Sequence, residues 1–191
     1  MASDAARAFR RHDPSAWTTT LAYRERGVLP YDIGAIGVGA TLMLDATVYI
    51  DAQKAGGLPP LLAATLVDST ILHSAVALSE IVVALGLLDP RHPGTLAIRG
   101  ALEETLSRID PARIVAHSAE AWEEAALVAG ILTRTQGVAK ADRRKLLNDA
   151  LIVMSARESG AVLISRNRKD IDLLLRFRPD ARVVLYDRVA A

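Results

Sequence analysis

The sequence predicts an α/β fold in which a parallel sheet is covered by helices on both faces, preceded by an N-terminal extension over residues 1–40. Three observations lead there. Short apolar runs of strand length alternate with segments of helical period. The runs are apolar throughout rather than alternating with polar residues, as in parallel strands buried on both faces. The chain has 191 residues, 51% of them hydrophobic, which suits one domain with an added segment better than two domains.

Each element can be justified in turn. Ala5 to Arg11 suits a short helix, after which Pro14, Gly27, Pro30 and Gly34 break regular structure. This first part reads as an appendage packed on, or tethered to, a domain spanning 41–191. Leu42 to Leu44 is an apolar strand that stops at Asp45, and Thr47 to Lys54 starts a helix. Thr70 to Val76 is rich in β-formers, and Leu78 to Leu88 is helical. Pro90, Pro93 and Gly94 mark a loop, and Leu96 to Ile109 repeats apolar residues at helical spacing. Arg113 to Ala116 is a short strand candidate. Ala119 to Thr135 is a helix ended by Gly137, and Ala141 to Glu158 is a helix capped by Asp142 and stopped by Gly160. Ala161 to Ile164 is a buried strand, Lys169 to Phe177 a helix and Arg182 to Tyr186 a final strand.

Composition excludes several classes. There is no Cys, so disulfides, thiolate zinc sites and Cys nucleophiles are ruled out. Aromatics are 4%, which argues against a binding surface made of many stacked rings. With a net charge of +1, any nucleic-acid binding must use local basic clusters. The start of the chain lacks the apolar core of a secretory signal. Ile33 to Ile50 approaches membrane length, but its glycines weaken a helix and Asp45 would cost ~2.5–3.5 kcal/mol near a bilayer centre. The expectation is a cytoplasmic protein with no membrane contact.

In parallel α/β sheets ligands bind at the C-terminal strand ends. That rule selects Asp45 after the first strand, Glu80 after the second, and Asn167 and Asp170 after the Ala161–Ile164 strand. Asp149 joins them from the helix just before that strand. Carboxylates brought together repel, and one protonates unless a cation lies between them. A hard divalent cation such as Mg²⁺ takes oxygen ligands and is served by a few carboxylates. Each acid also has a plainer reading. Asp45 could simply cap a helix, and a first-turn Glu80 suits the helix dipole. Asp149 is more telling, because Leu146, Leu147, Ala150 and Leu151 surround it in sequence. Asp51 and Asp172 look like ordinary surface acids. The basic runs Arg143, Arg144, Lys145 and Arg166, Arg168, Lys169 would border the acidic site and meet RNA phosphates.

Four stretches resemble the motifs of PIN-domain ribonucleases, in particular VapC-type toxins. They are Met43-Leu44-Asp45-Ala46-Thr47, Leu78-Ser79-Glu80-Ile81, Asn148-Asp149-Ala150-Leu151-Ile152 and Ile164-Ser165-Arg166-Asn167-Arg168-Lys169-Asp170-Ile171. They occur in the family's order, and the resemblance runs from about Met43 to Tyr186. It implies a three-layer fold with a central parallel sheet, and Mg²⁺ or Mn²⁺ bound by Asp45, Glu80 and Asp149, with Asp170 as a further acid. It further implies that Thr47 and Ser165 steady the site through their hydroxyls and that Asn167 positions water. The implied activity is hydrolysis of RNA phosphodiesters by a toxin that forms a homodimer and is restrained by a small antitoxin. Ser165 replaces the commoner Thr, Asn167 stands where many members carry Asp, and Ile171 takes a place often held by Phe. Residues 1–40 have no counterpart in the compact toxins.

Other readings are weaker. Gly34, Gly37 and Gly39 precede the first strand, whereas a dinucleotide-binding loop would follow it. An aspartyl phosphatase would need a second Asp where Thr47 stands. A metal-free ribonuclease could work through His73 and His117, although the four histidines look incidental, and Trp17 and Trp122 look like packing residues. The alternatives carried forward are another Mg²⁺-dependent phosphoryl hydrolase and a PIN-like scaffold without turnover.

Overall fold

β1 (Thr41–Leu44) lies at the centre of a five-stranded sheet, and every pairing in it is parallel. β2 (Thr70–Ser74) and β4 (Val162–Ser165) flank it, while β3 (Ile114–Val115) and β5 (Val183–Leu185) form the edges. The computed structural model describes residues 4–54 and 56–189. The outer ends of the expected extension and domain, 1–3 and 190–191, lie outside the described residues, as does residue 55.

Successive strand residues point to opposite faces, and both faces are buried. Leu42, Leu44, Val162, Ile164 and Val184 face one hydrophobic cluster. Met43, Leu163, Val183 and Leu185 face the other. The first face is covered by α2 (Ala46–Ala52), α3 (Pro60–Val67), α4 (Ala75–Gly86) and α5 (Thr95–Ser107). The second is covered by α6 (Ala119–Gln136), α7 (Arg143–Glu158) and α8 (Arg168–Phe177), with Ala77 of α4 reaching into it as well. This is the three-layer architecture expected of near-continuous apolar strands.

One helix lies in a stretch to which the sequence analysis assigned no element, and another starts later than expected. Pro60 opens α3. Proline is tolerated there because the first-turn N–H has no helical partner, and Leu62 is fully buried. α7 begins at Arg143 after a 3₁₀ turn over Lys140–Asp142, and the Asp142 side chain makes no cap bond. Gly137 and Gly160 do end α6 and α7, each at positive φ (65° and 64°).

The segment before β1 is docked along its length. α1 (Asp4–Arg11) packs on α6, and Leu29 enters the core. Trp17 stacks on Phe177 with centroids 4.0 Å apart. The Leu185 N–H donates to the Pro30 carbonyl at 2.6 Å, closing the β5 edge of the sheet. Ile33 to Ile50 is divided among a turn, β1 and the start of α2, and no helix among the described residues is long and apolar enough to cross a membrane.

Asp51 and Asp172 are not surface acids. Both are fully buried. Asp51 accepts hydrogen bonds from Arg166 Nε at 2.6 Å, Tyr186 Oη at 3.0 Å and the Arg188 guanidinium. Asp172 accepts from the backbone and side chain of Arg24, at 2.7 and 2.5 Å. Glu124 is likewise buried, and meets His12 Nε2 at 2.5 Å, Arg11 at 2.7 Å and Arg178 at 3.2 Å. Their partners are far away in sequence, and so invisible to helical periodicity.

Candidate active site

Asp45 ends β1 and opens α2, where an aspartate commonly caps the helix. Its side chain makes no cap bond. Oδ2 instead accepts from Thr47 Oγ1 at 2.9 Å and Ser165 Oγ at 2.6 Å. The same hydroxyl oxygens accept in turn from the backbone of the β4–α8 turn. Thr47 Oγ1 takes the Arg166 N–H at 3.3 Å, and Ser165 Oγ the Asn167 N–H at 3.0 Å. Two hydroxyls thus bind the ends of the adjacent strands β1 and β4 together and fix one carboxylate between them.

Asn167 caps α8. Its Nδ2 donates to Asp149 Oδ2 at 3.0 Å and to Asp170 Oδ2 at 2.9 Å, so a single amide bridges two carboxylates. Lys145, one turn before Asp149 on α7, sets its ammonium against Asp170 and 3.5 Å from Asp149. Glu80 lies in the second turn of α4, too deep for a first-turn dipole role, and its Oε1 accepts from Asn148 Nδ2 at 2.8 Å. Asp45, Thr47, Glu80, Lys145, Asp149 and Asn167 line one cleft of about 580 Å³. Asp170 and Lys145 line an adjoining cavity of about 570 Å³.

The charges do not balance. Burial raises the Asp149 carboxyl well above the usual aspartate value. Lys145 opposes that rise, while Asp45, Asp170 and Glu80 add to it. Burial also raises Glu80, against the hydrogen bond from Asn148, and the Asp45 charge adds to the rise. Asp170 is pushed up by burial, but hydrogen bonds from Lys145 and Asn167 outweigh this and hold it low. One ammonium therefore serves Asp170 well and leaves Asp149 and Glu80 under-compensated.

The donor set suits a hard divalent cation, being oxygen-only and rich in carboxylate. No three such side chains close on one point among the described residues. The residues fit such a group in kind, with the buried Asp149 carboxylate beside Asn167 and Lys145.

The other singled-out residues fall in several places. Lys145 and Arg166, expected to touch RNA, are engaged by Asp170 and Asp51, and Arg168 Nη2 donates to the Arg24 carbonyl at 3.0 Å. Arg143, Arg144 and Lys169 are exposed; Lys169 lines the cleft, and Arg144 lines a shallow cavity beside Glu80. His73 is buried against the Tyr49 hydroxyl at 2.5 Å, and His117 meets Ser74 Oγ at 3.2 Å. Neither histidine lines the cleft. Trp122 is about half exposed rather than packed. The sequence reading missed the roles of Asn148 and of Lys145 as a cation inside the acidic cluster. The four-residue spacing of Lys145 and Asp149 on one helix was the available signal.

Several solved structures share this fold. They include VapBC2 from Rickettsia felis bound to a DNA fragment from its promoter, at 18% identity, 77% of this chain, 99% of that chain and TM-score 0.51. DNA-bound VapBC from Salmonella typhimurium matches at 16% identity, 75% of this chain, 96% of that chain and TM-score 0.52. VapBC-1 from nontypeable Haemophilus influenzae matches at 16% identity, 76% of this chain, 97% of that chain and TM-score 0.51. No protein-family model and no curated protein matches the sequence. The chain therefore has an α/β three-layer fold with an acidic cleft at the C-terminal ends of its central strands. More particularly, that fold is the one of VapC-type PIN domains.

Proposed function

We propose that this protein is a Mg²⁺- or Mn²⁺-dependent endoribonuclease, the toxin of a toxin–antitoxin pair. The observation that carries the chemistry is Asp149. It is a buried carboxylate among Asp45, Glu80 and Asp170, too poorly compensated to ionise comfortably without a cation. Asp45, Glu80 and Asp149 would hold the ion, with Asp170 at the margin. When bound, such a cation supplies neutralisation of the phosphodiester charge and Lewis acidity toward water.

The chain's own residues do the rest. Thr47 and Ser165 fix the orientation of the Asp45 carboxylate. Asn167 fixes Asp149 and Asp170, and Asn148 fixes Glu80. Lys169 on the cleft wall and Arg144 in the neighbouring cavity beside Glu80 offer exposed positive charge to RNA phosphates. In the hydrolysis a water oxygen bonds to phosphorus as the opposite P–O ester bond breaks. The toxin role rests on fold likeness to VapBC complexes, which are toxin–antitoxin complexes with VapC as the PIN-domain protein. A small antitoxin partner, a homodimer and a cytoplasmic setting belong to the same reading.

Lys145 favours a second reading. An ammonium already seated against Asp149 and Asp170 could stand in permanently for the cation, leaving a scaffold without turnover. Cleavage of a mixed RNA pool with Mn²⁺, Mg²⁺ or EDTA separates the two. Metal-dependent cleavage lost in folded Asp149→Asn and Asp45→Asn supports the nuclease. No cleavage with either metal supports the scaffold. Hydrolysis of small phosphomonoesters with RNA left intact would point to a different phosphoryl hydrolase.

A further inference from the structure

Tyr23 lies on the segment that precedes β1, and the residue is 52% exposed. Trp17 of that segment stacks on Phe177, and Tyr31 lies beneath the Arg26 guanidinium at 3.8 Å, whereas Phe9 on α1 is exposed like Tyr23 but does not line the Tyr23 cavity. Tyr23 has no ring contact and no side-chain hydrogen bond among the described residues. Yet its backbone is pinned on both sides to α8. The Ala22 carbonyl accepts from Arg176 Nη2 at 3.2 Å. The Arg24 N–H donates to Asp172 Oδ2 at 2.7 Å, and the Arg24 carbonyl accepts from Arg168 at 3.0 Å. Because Asp172 is fully buried, this anchor is firm.

The consequence is an unpartnered aromatic ring held at a set distance from the acidic cleft. α8, which holds residues 22–24, also carries Asp170 and is capped by Asn167. Tyr23 lines the cavity of about 570 Å³ together with Gln136, Lys145 and Asp170. Lys145 lines that cavity and the cleft alike, so the two adjoin at this residue. A strand with a phosphodiester in the cleft and its backbone passing Lys145 would bring a neighbouring base to Tyr23.

We propose that Tyr23 is a stacking platform for an unpaired base next to the phosphodiester in the cleft. This rests on the RNA-cleaving reading. An exposed ring face accepts any base, and stacking requires that the base be free of a duplex. Gln136, on the cavity wall, is placed to meet a base edge. The low aromatic content excludes a surface of many rings, but a single ring suffices for a single base.

The test uses the full chain with a fluorescein-labelled single-stranded RNA, read by anisotropy in EDTA, and by cleavage kinetics with Mn²⁺. Tyr23→Ala and Tyr23→Leu remove the ring face, while Tyr23→Phe and Tyr23→Trp keep it. Loss of the face should weaken single-strand binding about 5-fold or more. It should raise KM with kcat unchanged and leave binding to the same sequence as a duplex unaffected. Phe and Trp should preserve wild-type binding. Wild-type binding by both Ala and Leu variants, with normal cleavage, would overturn the platform and leave the nuclease standing. A Phe variant as weak as Ala would overturn it too, since the hydroxyl would then be the contact. A wild type that neither binds nor cleaves RNA would overturn both readings.

Discussion

Buried carboxylates occur in two kinds of surroundings here. Asp51, Asp172 and Glu124 are held by arginine side chains, with Tyr186 or His12 completing two of the sites. Asp45, Glu80, Asp149 and Asp170 are held by hydroxyls, amides and a single lysine. At Asp51 and Glu124, of the first kind, burial pushes the carboxyl up and the partners more than reverse it. Asp51 is brought below its usual value by Arg188, Arg166 and Tyr186, and Glu124 by His12, Arg178 and Arg11. In the second, burial wins at Asp149 and Glu80. The lesson is that the same residue type can lock a fold or hold an unmet electrostatic demand, and that the partner set decides which.

The largest effect should come from opening a closed site. Glu124→Ala removes the carboxylate facing buried Arg178, and an unpaired buried charge costs about 3–5 kcal/mol. Denaturant titration should register that loss, together with an unchanged thermal response to Mn²⁺. A loss under 1 kcal/mol would mean that the arginine finds water and the cluster is not closed. Asp51→Asn should cost less, about 1.5–3 kcal/mol for its hydrogen bonds to charged groups, because Arg166 and Arg188 are about one-third exposed and can turn outward.

Acid should separate the two kinds with opposite signs. The folded-state pKa values of Asp51 and Glu124 are lowered, so their contribution is present above the unfolded value and lost as pH falls through the folded one. The folded-state value of Asp149 is raised, so the metal-free protein loses stability as pH rises from the unfolded value through the folded one. Melts in EDTA across pH should therefore show Asp149→Asn gaining on wild type as pH increases above the usual carboxylate range. Parallel curves would place Asp149 among the compensated acids.

Much of this organisation was legible in the sequence, and the reasons are local. Uninterrupted apolar runs gave away strands buried on both faces, and Asp45, Glu80, Asp149 and Asn167 could be assigned to one sheet edge because strand ends fix position. Asp149 was conspicuous for its apolar neighbours. Asp51 and Asp172 were misjudged because their arginines lie more than a hundred positions away in sequence. α3 was hidden by its opening prolines. Tyr23 gave no signal, since its position depends on backbone anchors to α8.

Smaller effects sharpen the comparison. Ser165→Ala removes one of two hydroxyls from Asp45 and should cost about 1 kcal/mol of stability. It should also weaken Mn²⁺ binding about 10-fold or more, as loss of a ligand's supporting hydrogen bond does. Unchanged Mn²⁺ affinity by calorimetry would show that Asp45 needs no such support. Arg144→Ala and Lys169→Ala should stay within about 0.5 kcal/mol of wild type in stability. Each should reduce the salt dependence of single-stranded RNA binding by about 0.7 in the log–log slope. An unaltered slope would remove that residue from the phosphate path.

The most direct test of the central claim, that the cleft carboxylates require a cation and the arginine-held ones do not, is a set of thermal melts at neutral pH. Wild type, Asp149→Asn and Asp51→Asn are each melted with EDTA and with Mn²⁺ or Mg²⁺. Binding to the folded form alone stabilises by about 2.7 kcal/mol at a hundredfold excess over Kd. Metal should raise the melting temperature of wild type and of Asp51→Asn by the same margin, and Asp149→Asn should blunt the rise. Equal shifts in all three proteins, or none in any, would contradict it.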